Sequence, residues 1–553
     1  MSEKNASALD GLNHYWDAAS EGKLDIGKCQ ACGTAYFYPR PLCPLCGSAS
    51  TELKAASGRG RIYSFSIVRN SKRPTAAAIV ELEEGPRVPT ALLDCDVFEL
   101  KIGDPVEVFF QQTDGSAALA FTTEAAQAAR RYARVALHES SVIPGLPSDP
   151  TAPDVRRAAV IGAGTMGSGI SIALLQAGIP VTLIDANAGA LEKATSQIAK
   201  LFETSVARGR MTREQVSTCA LTCETQISAA SAADLVVEAV YEQMALKKQI
   251  FSELDRHCAP GTTLATNTST LNVDEIAGAT NRPGDVIGLH FFSPAHVMKL
   301  LEVVRGPRTD SRAIIRAMAL GKRLGKVAVL VGICDGFVGN RLMIARERQA
   351  GELLLHGALP DQIDRVLREF GLPMGTFELQ DMAGGIELNY RFRQAKGGKD
   401  FIIDRLFELG RLGQKTGKGY YVYDPSSRVP RLDKEAMEVF EAASRHHGID
   451  RRTFSDDQLR DRLILPMVNE AAKLIEEGVV IRPSDIDVVW QNGYGWPTWK
   501  GGPVYWADSI GPAQIYQRLC ALHNECGEAF RPAGLLRRLA FSSGRLVDQK
   551  PGT

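Results

Sequence analysis

The 553-residue sequence has no excess of either charge, because 64 Lys and Arg balance 64 Asp and Glu. A protein that binds nucleic acid usually has a basic surplus, so this balance argues against a nucleic-acid partner. The sequence also lacks any apolar run near the ~20 residues that a membrane span requires. Its first ten residues carry no basic-then-apolar signal, and its end is not of the Ser-Lys-Leu type. We therefore expect a cytoplasmic protein without a membrane partner.

Cysteine is sparse, but four of the 11 cysteines fall close together near the N-terminus. Cys29-Gln-Ala-Cys32 and Cys43-Pro-Leu-Cys46 are separated by ten residues, a spacing that can place four thiolates around one tetrahedral Zn²⁺. Disulfides are disfavoured in the cytoplasm, and a redox CxxC would not need two copies. We predict a structural zinc, because four cysteines leave no open position for water.

Changes in sequence pattern divide the rest of the chain. Short strand-like runs between residues 61 and 122 predict a small all-β barrel. Four prolines in Ile143–Pro153 predict a linker. From Val155 to about Gly332, strand-like and helical segments alternate, as in a doubly wound parallel sheet. From Asp335 onward the chain is mostly helical.

The helical part contains a degenerate repeat. Four short motifs recur in order at offsets of 121 to 123 residues. The first copy has Asn340-Arg-Leu-Met, Gly357, Asp361-Gln-Ile-Asp364 and Pro373-Met-Gly-Thr-Phe377; the second has Asp461-Arg-Leu-Ile, Gly478, Ser484-Asp-Ile-Asp487 and Gly495-Trp-Pro-Thr-Trp499. This pattern predicts two related helical domains. The second copy has Asp461 in place of Asn340, so we expect it to be structural, without a catalytic role for its Gly493-Tyr-Gly-Trp-Pro stretch.

A glycine-rich motif, with Gly162, Gly164, Thr165, Met166 and Gly167, follows a predicted strand and opens a predicted helix. Such glycines let backbone N–H groups approach a pyrophosphate at the helix N-terminus.

Asp185 ends the next predicted strand, 21 residues after Gly164, where its carboxylate can accept from adenosine ribose hydroxyls. A 2′-phosphate would meet a negative charge there, so NAD is favoured over NADP. The alternative is an ordinary βαβ unit whose glycines serve only packing.

Four further motifs resemble the L-3-hydroxyacyl-CoA dehydrogenase family, most closely the dehydrogenase half of the multifunctional β-oxidation enzymes. They are Asn267-Thr-Ser269-Thr, Gly288-Leu-His290-Phe-Phe-Ser-Pro294, Met298-Lys-Leu-Leu-Glu302-Val and Asp335-Gly-Phe-Val-Gly-Asn340-Arg. The resemblance covers residues 155–540 and implies oxidation of an (S)-3-hydroxyacyl-CoA with NAD⁺. It also implies dimerisation through the helical domains, which is common in the family.

Oxidising a 3-hydroxyl group requires removal of its proton while hydride leaves C3. His290 suits this role because the pKa of histidine lies near working pH, and Glu302 would orient the imidazole. By resemblance, Ser269 and Asn340 bind the substrate's reacting oxygens, and Ser269 also approaches the cofactor. The resemblance further implies NAD contacts from four residues: Glu238, Gln243, Ser293 and Lys415.

Each of these assignments has a structural alternative. A lone buried histidine is often a satisfied core residue, whereas an unpaired glutamate within Leu-Leu-Glu302-Val-Val would be costly to bury. Ser269 and Asn340 could be helix caps. Lys415 could be a solvated turn lysine.

The N-terminal segment resembles a zinc-ribbon plus OB-fold family associated with acyl-CoA enzymes. His14-Tyr-Trp, the four cysteines and Ile102-Gly-Asp-Pro-Val-Glu-Val carry this resemblance. It implies a module that docks a thiolase or hydratase, or that binds the CoA thioester. OB-folds also bind nucleic acid, but the neutral charge argues against that. In the multifunctional enzymes an enoyl-CoA hydratase would be expected before the Rossmann domain, but here the zinc-ribbon and OB-fold segment precedes it, so we do not expect hydratase activity.

Together these patterns predict a zinc ribbon and OB-fold β-barrel, an α/β Rossmann domain and two all-α dehydrogenase C-terminal domains. The predicted segments are an N-terminal helix and zinc ribbon (1–55), the OB-fold (56–125), a helix and Pro-rich linker (126–154), the NAD-binding domain (155–333) and two helical domains (334–430 and 431–553). The main hypothesis is oxidation of an (S)-3-hydroxyacyl-CoA with NAD⁺ in the β-oxidation-type degradation of an acyl-CoA, and a linear, aromatic or alicyclic acyl group is left open. One rival is an assembly subunit with weak dehydrogenase activity; another is an enzyme acting on free hydroxy acids.

Overall fold

A computed structural model describes residues 15–69, 74–113, 116–146, 154–424, 426 and 429–552. His14, the first ten residues and residues 147–153 of the predicted linker lie outside this set. The chain divides into two compact units. The first contains the described residues up to 132, Leu354–Asp456 and Pro497–Gly501; the second contains Ala133–Leu353, Asp457–Trp496 and the chain from Gly502. None of the described helices is long and apolar enough to cross a membrane.

The first unit begins with a zinc ribbon. It contains α1 (residues 15–20), β1 (Asp25–Cys29), β2 (Ala35–Tyr36) and β3 (Thr51–Ala55), with β1 between its two antiparallel neighbours. Gly33 and Gly47 follow the two CxxC pairs with φ of +74° and +72°. Their amides donate to the carbonyls of Cys29 and Cys43 at 2.9 and 3.0 Å. Each cysteine pair therefore lies on a tight turn, which glycine alone adopts without strain.

A closed five-stranded barrel follows, in the order β4-β5-β6-β8-β7. The strands are β4 (Arg59–Val68), β5 (Thr75–Leu82), β6 (Arg87–Leu92), β7 (Pro105–Thr113) and β8 (Ser116–Thr123), and α2 (Glu124–Ser140) comes next. Alternate residues of β5 fill the barrel interior, as half-buried strands require. The third strand ends at Leu92, and Asp94 then takes left-handed backbone with φ of 49°.

The barrel also contacts a helical segment of the same unit. Trp499 packs against the barrel core, and the Nζ of Lys500 pairs with a carboxylate oxygen of Asp96 at 2.8 Å. The Lys500 side chain is mostly buried, so this ion pair is better shielded from solvent than a surface pair. The barrel is thereby fixed to residues 497–501.

The second unit is built on an eight-stranded sheet in the order β11-β10-β9-β12-β13-β14-β15-β16. Its strands are β9 (Ala158–Ile161), β10 (Val181–Ile184), β11 (Leu221–Glu224), β12 (Leu235–Glu238), β13 (Thr263–Thr266), β14 (Val286–Phe291), β15 (Leu300–Arg305) and β16 (Val327–Gly332). Only β14 and β15 pair antiparallel, because the eight residues between them are too few for a crossover helix. The predicted sheet is therefore parallel on either side of this one pair.

Six helices accompany these strands: α3 (Thr165–Gln176), α4 (Ala188–Ala207), α5 (Arg213–Ser217), α6 (Met244–His257), α7 (Val273–Ala277) and α8 (Ser311–Arg323). Val160, Leu183 and Leu289 of the strands are fully buried in one core with Leu174 of α3. Burying each such side chain contributes about 1.5–3 kcal/mol. This core holds the carboxyl ends of the strands in fixed positions.

The rest of the chain is helical and short-stranded. It contains α9 (Gly339–Leu355), α10 (Pro360–Phe370), α11 (Thr376–Ala383), α12 (Gly385–Lys396), α13 (Phe401–Glu408), β17 (Val422–Tyr423), β18 (Pro430–Arg431), α14 (Lys434–His446), α15 (Asp456–Glu476), α16 (Pro483–Gly493), α17 (Pro503–Ile510), α18 (Pro512–Cys526) and α19 (Gly534–Ala540). In the second unit, the Gly332 amide donates to the Val479 carbonyl at 2.6 Å. The segment between α15 and α16 thus continues the edge of the sheet.

The two copies of the predicted repeat share a set of buried hydrogen bonds. Asp364 and Asp487 are both fully buried, and each accepts hydrogen bonds from two backbone amides at the start of the following helix. Asp381 and Asp508 likewise each accept from two successive amides later in their own copy. A buried carboxylate needs such donors, so the shared aspartates satisfy the same backbone groups in both copies. The repeat prediction is confirmed.

Candidate active site

The glycine-rich loop lies between β9 and α3. A Cβ on Gly162 would lie 2.8 Å from the Ala239 carbonyl oxygen, and one on Gly167 only 1.8 Å from that of Gly162. These two glycines are therefore required for packing. Gly164, in contrast, faces open space among the described residues and precedes the first turn of α3. Because glycine has no side chain with which to cap that turn, its amides remain available to an anion such as a pyrophosphate.

Asp185 stands beside this loop at the end of β10. One carboxylate oxygen accepts from the Ala163 amide at 2.8 Å, and the other accepts from the Asn187 amide at 2.9 Å. Each oxygen has two lone pairs, so each can still accept from a ribose hydroxyl. The loop and this carboxylate fit the adenosine half of NAD. Thr165 is exposed and Met166 half-buried at the start of α3.

His290 and Glu302 are directly opposite each other on the antiparallel strands β14 and β15. The imidazole Nδ1 lies 2.7 Å from Oε2 of Glu302, and both side chains are buried. The other oxygen of Glu302 accepts from the Gly339 amide at 2.9 Å. The rings of Phe292 and Phe337 flank the imidazole, with centroids at 4.4 and 5.6 Å. These contacts hold the pair in place, and Nε2 is the nitrogen left for a ligand.

This arrangement can carry out proton abstraction. With Nδ1–H donated to an ionised Glu302, the unprotonated Nε2 can accept a proton. The carboxylate then stabilises the imidazolium that forms, as in other histidine–carboxylate pairs. The family resemblance predicted that Glu302 orients the imidazole, and the antiparallel register of the two strands explains how the two side chains meet.

Ser269, which follows β13, is held by a residue that the sequence analysis missed. Oε1 of Glu242 accepts from the Ser269 amide at 2.8 Å and hydroxyl at 3.2 Å, and from the Thr268 hydroxyl at 2.6 Å. Burial alone would raise the pKa of the Glu242 carboxyl, but the hydrogen bond from Thr268, the positive charge of Lys247 and the backbone donors lower it. Its position just beyond the carboxyl end of β12, where ligand-binding side chains gather, is the sequence feature that could have identified Glu242.

Glu238, predicted to contact NAD, lies in the interior of the domain. Its two carboxylate oxygens accept from the Lys247 ammonium at 2.8 and 3.0 Å, from the Val240 amide and from the Thr266 hydroxyl. Lys247 is fully buried and also lies 3.5 Å from Glu242. The carboxylate of Glu238 is therefore engaged by the protein itself, whereas Glu242 is the carboxylate beside Ser269.

The remaining predicted residues occupy varied positions. Gln243 is exposed just before α6, and Ser293 is exposed in the turn after β14. Asn340, in the first turn of α9, accepts a hydrogen bond from the Tyr494 hydroxyl at 2.7 Å. Lys415 belongs to the first unit, where its ammonium pairs with Glu387. The second unit therefore contains all the predicted dehydrogenase residues except Lys415.

The four N-terminal cysteines converge in the first unit. Their sulfurs all lie within 4.8 Å of one another, with Sγ–Sγ distances of 3.6 Å for Cys29–Cys46 and 3.7 Å for Cys32–Cys43. Four sulfurs at about 2.3 Å from a tetrahedral zinc are about 3.8 Å apart. The four cysteines are therefore positioned to bind a metal ion, and their spacing fits zinc.

Residues 157–334 match the NAD-binding domain of 3-hydroxyacyl-CoA dehydrogenase. Residues 336–423 and 459–550 both match the C-terminal domain of the same family. These segments belong to the 3-hydroxyacyl-CoA dehydrogenase family. Residues 16–52 match the rubredoxin-like zinc ribbon domain of ChsH2, and residues 53–111 match its C-terminal OB-fold domain. Both resemblances inferred from the sequence are confirmed.

The chain is 40% identical over 407 residues to the peroxisomal bifunctional enzyme of Danio rerio and 39% identical over 402 residues to that of Homo sapiens. These alignments cover 70% and 69% of this chain but 56% of each relative, so the chain spans little more than half their length. The structure of 3-hydroxybutyryl-CoA dehydrogenase from Escherichia coli is 28% identical with a TM-score of 0.60, covering 70% of this chain and 98% of that one. The dehydrogenase part of multifunctional enzyme 1 from C. elegans is 29% identical with a TM-score of 0.54, covering 74% and 99%.

Proposed function

We propose that the protein oxidises an (S)-3-hydroxyacyl-CoA to the 3-oxoacyl-CoA with NAD⁺. The observation that carries this proposal is the buried His290–Glu302 pair in a dehydrogenase-family domain, with the imidazole Nε2 free of the carboxylate. His290 lies near the carboxyl end of β14, the edge of the sheet at which the glycine-rich loop also lies. Ligands of such sheets gather at this edge.

In the proposed reaction, Nε2 of His290 takes the proton of the 3-hydroxyl group. Bound NAD⁺ supplies the acceptor for the hydride that leaves C3. Glu302 balances the positive charge that forms on the imidazole. The Asn340 amide donates to the reacting oxygen, which becomes the carbonyl of the product, and the Ser269 hydroxyl donates to it after turning from Glu242. The net result is 3-oxoacyl-CoA, NADH and a proton.

Turnover of acetoacetyl-CoA with NADH tests the proposal in the reverse direction. Loss of NADH absorbance, and NADH formation from a panel of 3-hydroxyacyl-CoA thioesters, would support it. If the protein is an assembly subunit, neither direction should turn over at a useful rate. If it acts on free hydroxy acids, these should be oxidised faster than their CoA thioesters.

We further propose that the N-terminal module docks a thiolase or hydratase, or binds the CoA thioester. The ChsH2-type zinc ribbon and OB-fold support this role, as do Leu42 and Leu45 beside the second cysteine pair, which are 56% and 70% exposed. Exposed leucines of this kind suit a protein contact. The homodimer and the cytoplasmic location remain predictions, and the names of the Danio rerio and Homo sapiens relatives describe those proteins as peroxisomal.

We expect Asp185→Ala to raise the KM for NAD⁺ by about 10- to 100-fold, because hydrogen bonds to a charged group contribute ~1.5–3 kcal/mol. The KM for NADP⁺ should change less or fall, since a negative charge near the 2′-phosphate is lost. Steady-state kinetics with both cofactors would measure this. Asp185→Asn is the control, because its amide oxygen can still accept from the Ala163 or Asn187 amide. An unchanged KM for NAD⁺ would contradict the ribose assignment.

We expect Glu242→Gln to lower kcat about tenfold, because a neutral amide accepts the Ser269 backbone N–H less strongly than the carboxylate does and so positions Ser269 less firmly. Steady-state assays with one 3-hydroxyacyl-CoA would measure the loss. Glu275→Gln is the matched control, since Glu275 is an exposed glutamate of the same domain that pairs with Lys248 at 2.5 Å. Equal activity in the two variants would remove Glu242 from the site.

A further inference from the structure

Tyr494 belongs to the second helical copy, to which the sequence analysis gave no catalytic role. It follows α16, and its hydroxyl donates to Oδ1 of Asn340 at 2.7 Å, although 154 residues separate the two in sequence. Both residues lie in the second unit, and the contact is partly shielded from solvent. One side chain of the second copy therefore reaches a residue of the candidate active site.

The tyrosine ring is held from two sides. It stacks on Trp490 with a centroid distance of 4.5 Å and meets Phe292 edge-on at 5.5 Å. Phe292 in turn lies against the His290 imidazole. Aromatic contacts of this geometry fix the ring plane, and so they fix the direction of the hydroxyl.

The same ring presses against the backbone that precedes Asn340. A Cβ on Gly339 would lie 2.3 Å from the Tyr494 ring, so only glycine allows this close approach. The amide of Gly339 is the one that donates to Glu302. Tyr494 thus contacts the peptide that supports the His290–Glu302 pair and also the side chain that follows it.

The hydrogen bond decides which end of the Asn340 amide is available to a ligand. An asparagine amide has an oxygen that accepts and an NH₂ group that donates. When the tyrosine hydroxyl occupies Oδ1, the NH₂ group is the end left for the substrate oxygen, where a donor is needed. Burial and the nearby charge of Glu302 raise the pKa of Tyr494 well above its usual value, so the hydroxyl keeps its proton.

We propose that Tyr494 is a positioning residue of the dehydrogenase site, which orients the Asn340 amide so that its N–H groups face the reacting oxygen. This inference rests on the function proposed above. It makes the second helical copy a part of the active site, because that copy supplies a side chain that sets the orientation of a substrate-binding group.

Tyr494→Phe tests the proposal because it keeps the ring and removes only the hydroxyl. We expect kcat for 3-hydroxyacyl-CoA oxidation to fall about tenfold, while the Kd for NAD⁺ and the Tm stay close to those of the wild type. Tyr516→Phe is the matched control, because Tyr516 lies in the same copy and its ring packs against Phe541. A Tyr494→Phe variant with wild-type kcat would overturn the proposal.

A double-mutant cycle with Asn340→Ala separates positioning from packing. If Tyr494 acts through Asn340, then Tyr494→Phe should cause no further loss of kcat in the Asn340→Ala background. If Tyr494→Phe caused only a packing defect, it would lower kcat by the same factor in the wild-type and Asn340→Ala backgrounds. That result would contradict the proposal, whether or not the Tm of the single variant falls. Failure of the proposed function is distinct from these outcomes, because the wild-type protein itself would then show no turnover.

Discussion

Replacing His290 with alanine is expected to lower kcat for 3-hydroxyacyl-CoA oxidation by about 10³-fold, because a general base contributes 10²–10⁴-fold. The imidazole is the only described side chain paired with Glu302, and its Nε2 is the atom available to a substrate hydroxyl. NAD⁺ binding should change little, since the glycine-rich loop and Asp185 keep their own contacts. Steady-state turnover and NAD⁺ titration on the same preparation would measure both quantities.

The alanine variant also removes a partner from a fully buried carboxylate. Leaving Glu302 without the imidazole costs stability, so His290→Gln should be measured beside it, because glutamine can still donate to Glu302. His296→Gln is the matched control: His296 is a half-buried histidine six residues further along, in the same turn region. If His290→Gln folds and retains turnover close to that of the wild type, His290 is not the base.

Much of the candidate active site was predicted from short stretches of sequence. The glycine-rich loop and Asp185 follow neighbouring strands and were predicted from motif and spacing, and the His290–Glu302 pair was predicted from the family resemblance of the motifs that contain it. The helical repeat was also predicted from the sequence, because each copy needs equivalent buried aspartates to accept hydrogen bonds from backbone amides. The NAD contact predicted for Glu238 stays a prediction, and the pairing of its carboxylate with the buried Lys247 was not predicted from the sequence.

Contacts that depend on tertiary packing were not predicted from the sequence. Glu242 reaches Ser269 across a 27-residue separation, and Tyr494 reaches Asn340 across 154 residues. No periodicity or motif links such residues, since their meeting depends on how β12 and β13 pair and on where α16 packs.

The other large effect is expected from removal of zinc. A structural zinc site contributes ~10–16 kcal/mol to the folding of its module. Tyr15, Leu24 and Ile26 pack into the barrel core. Around the cysteines the ribbon has only short strands and a small buried cluster that includes Cys29 and Cys43, so the metal should provide much of the stability there. We expect one zinc per chain by elemental analysis, and we expect a strong chelator or Cys43→Ser to unfold residues 15–55 in hydrogen exchange.

Zinc removal should affect catalysis much less than it affects the fold of the ribbon. No cysteine of the cluster belongs to the second unit, which contains His290, Glu302, Ser269 and Asn340, so kcat should survive zinc removal far better than it survives loss of His290. Co-purification of a thiolase or hydratase, where the module docks one, should instead be lost.

Cys95→Ser is the matched control, because Cys95 is a buried cysteine of the barrel that lies outside the cluster. Loss of kcat that added Zn²⁺ restores at once, without refolding of the ribbon, would show that the metal acts in the reaction. A purified chain with a full complement of another metal would overturn the assignment of zinc, because tetrahedral thiolate sites also accept iron.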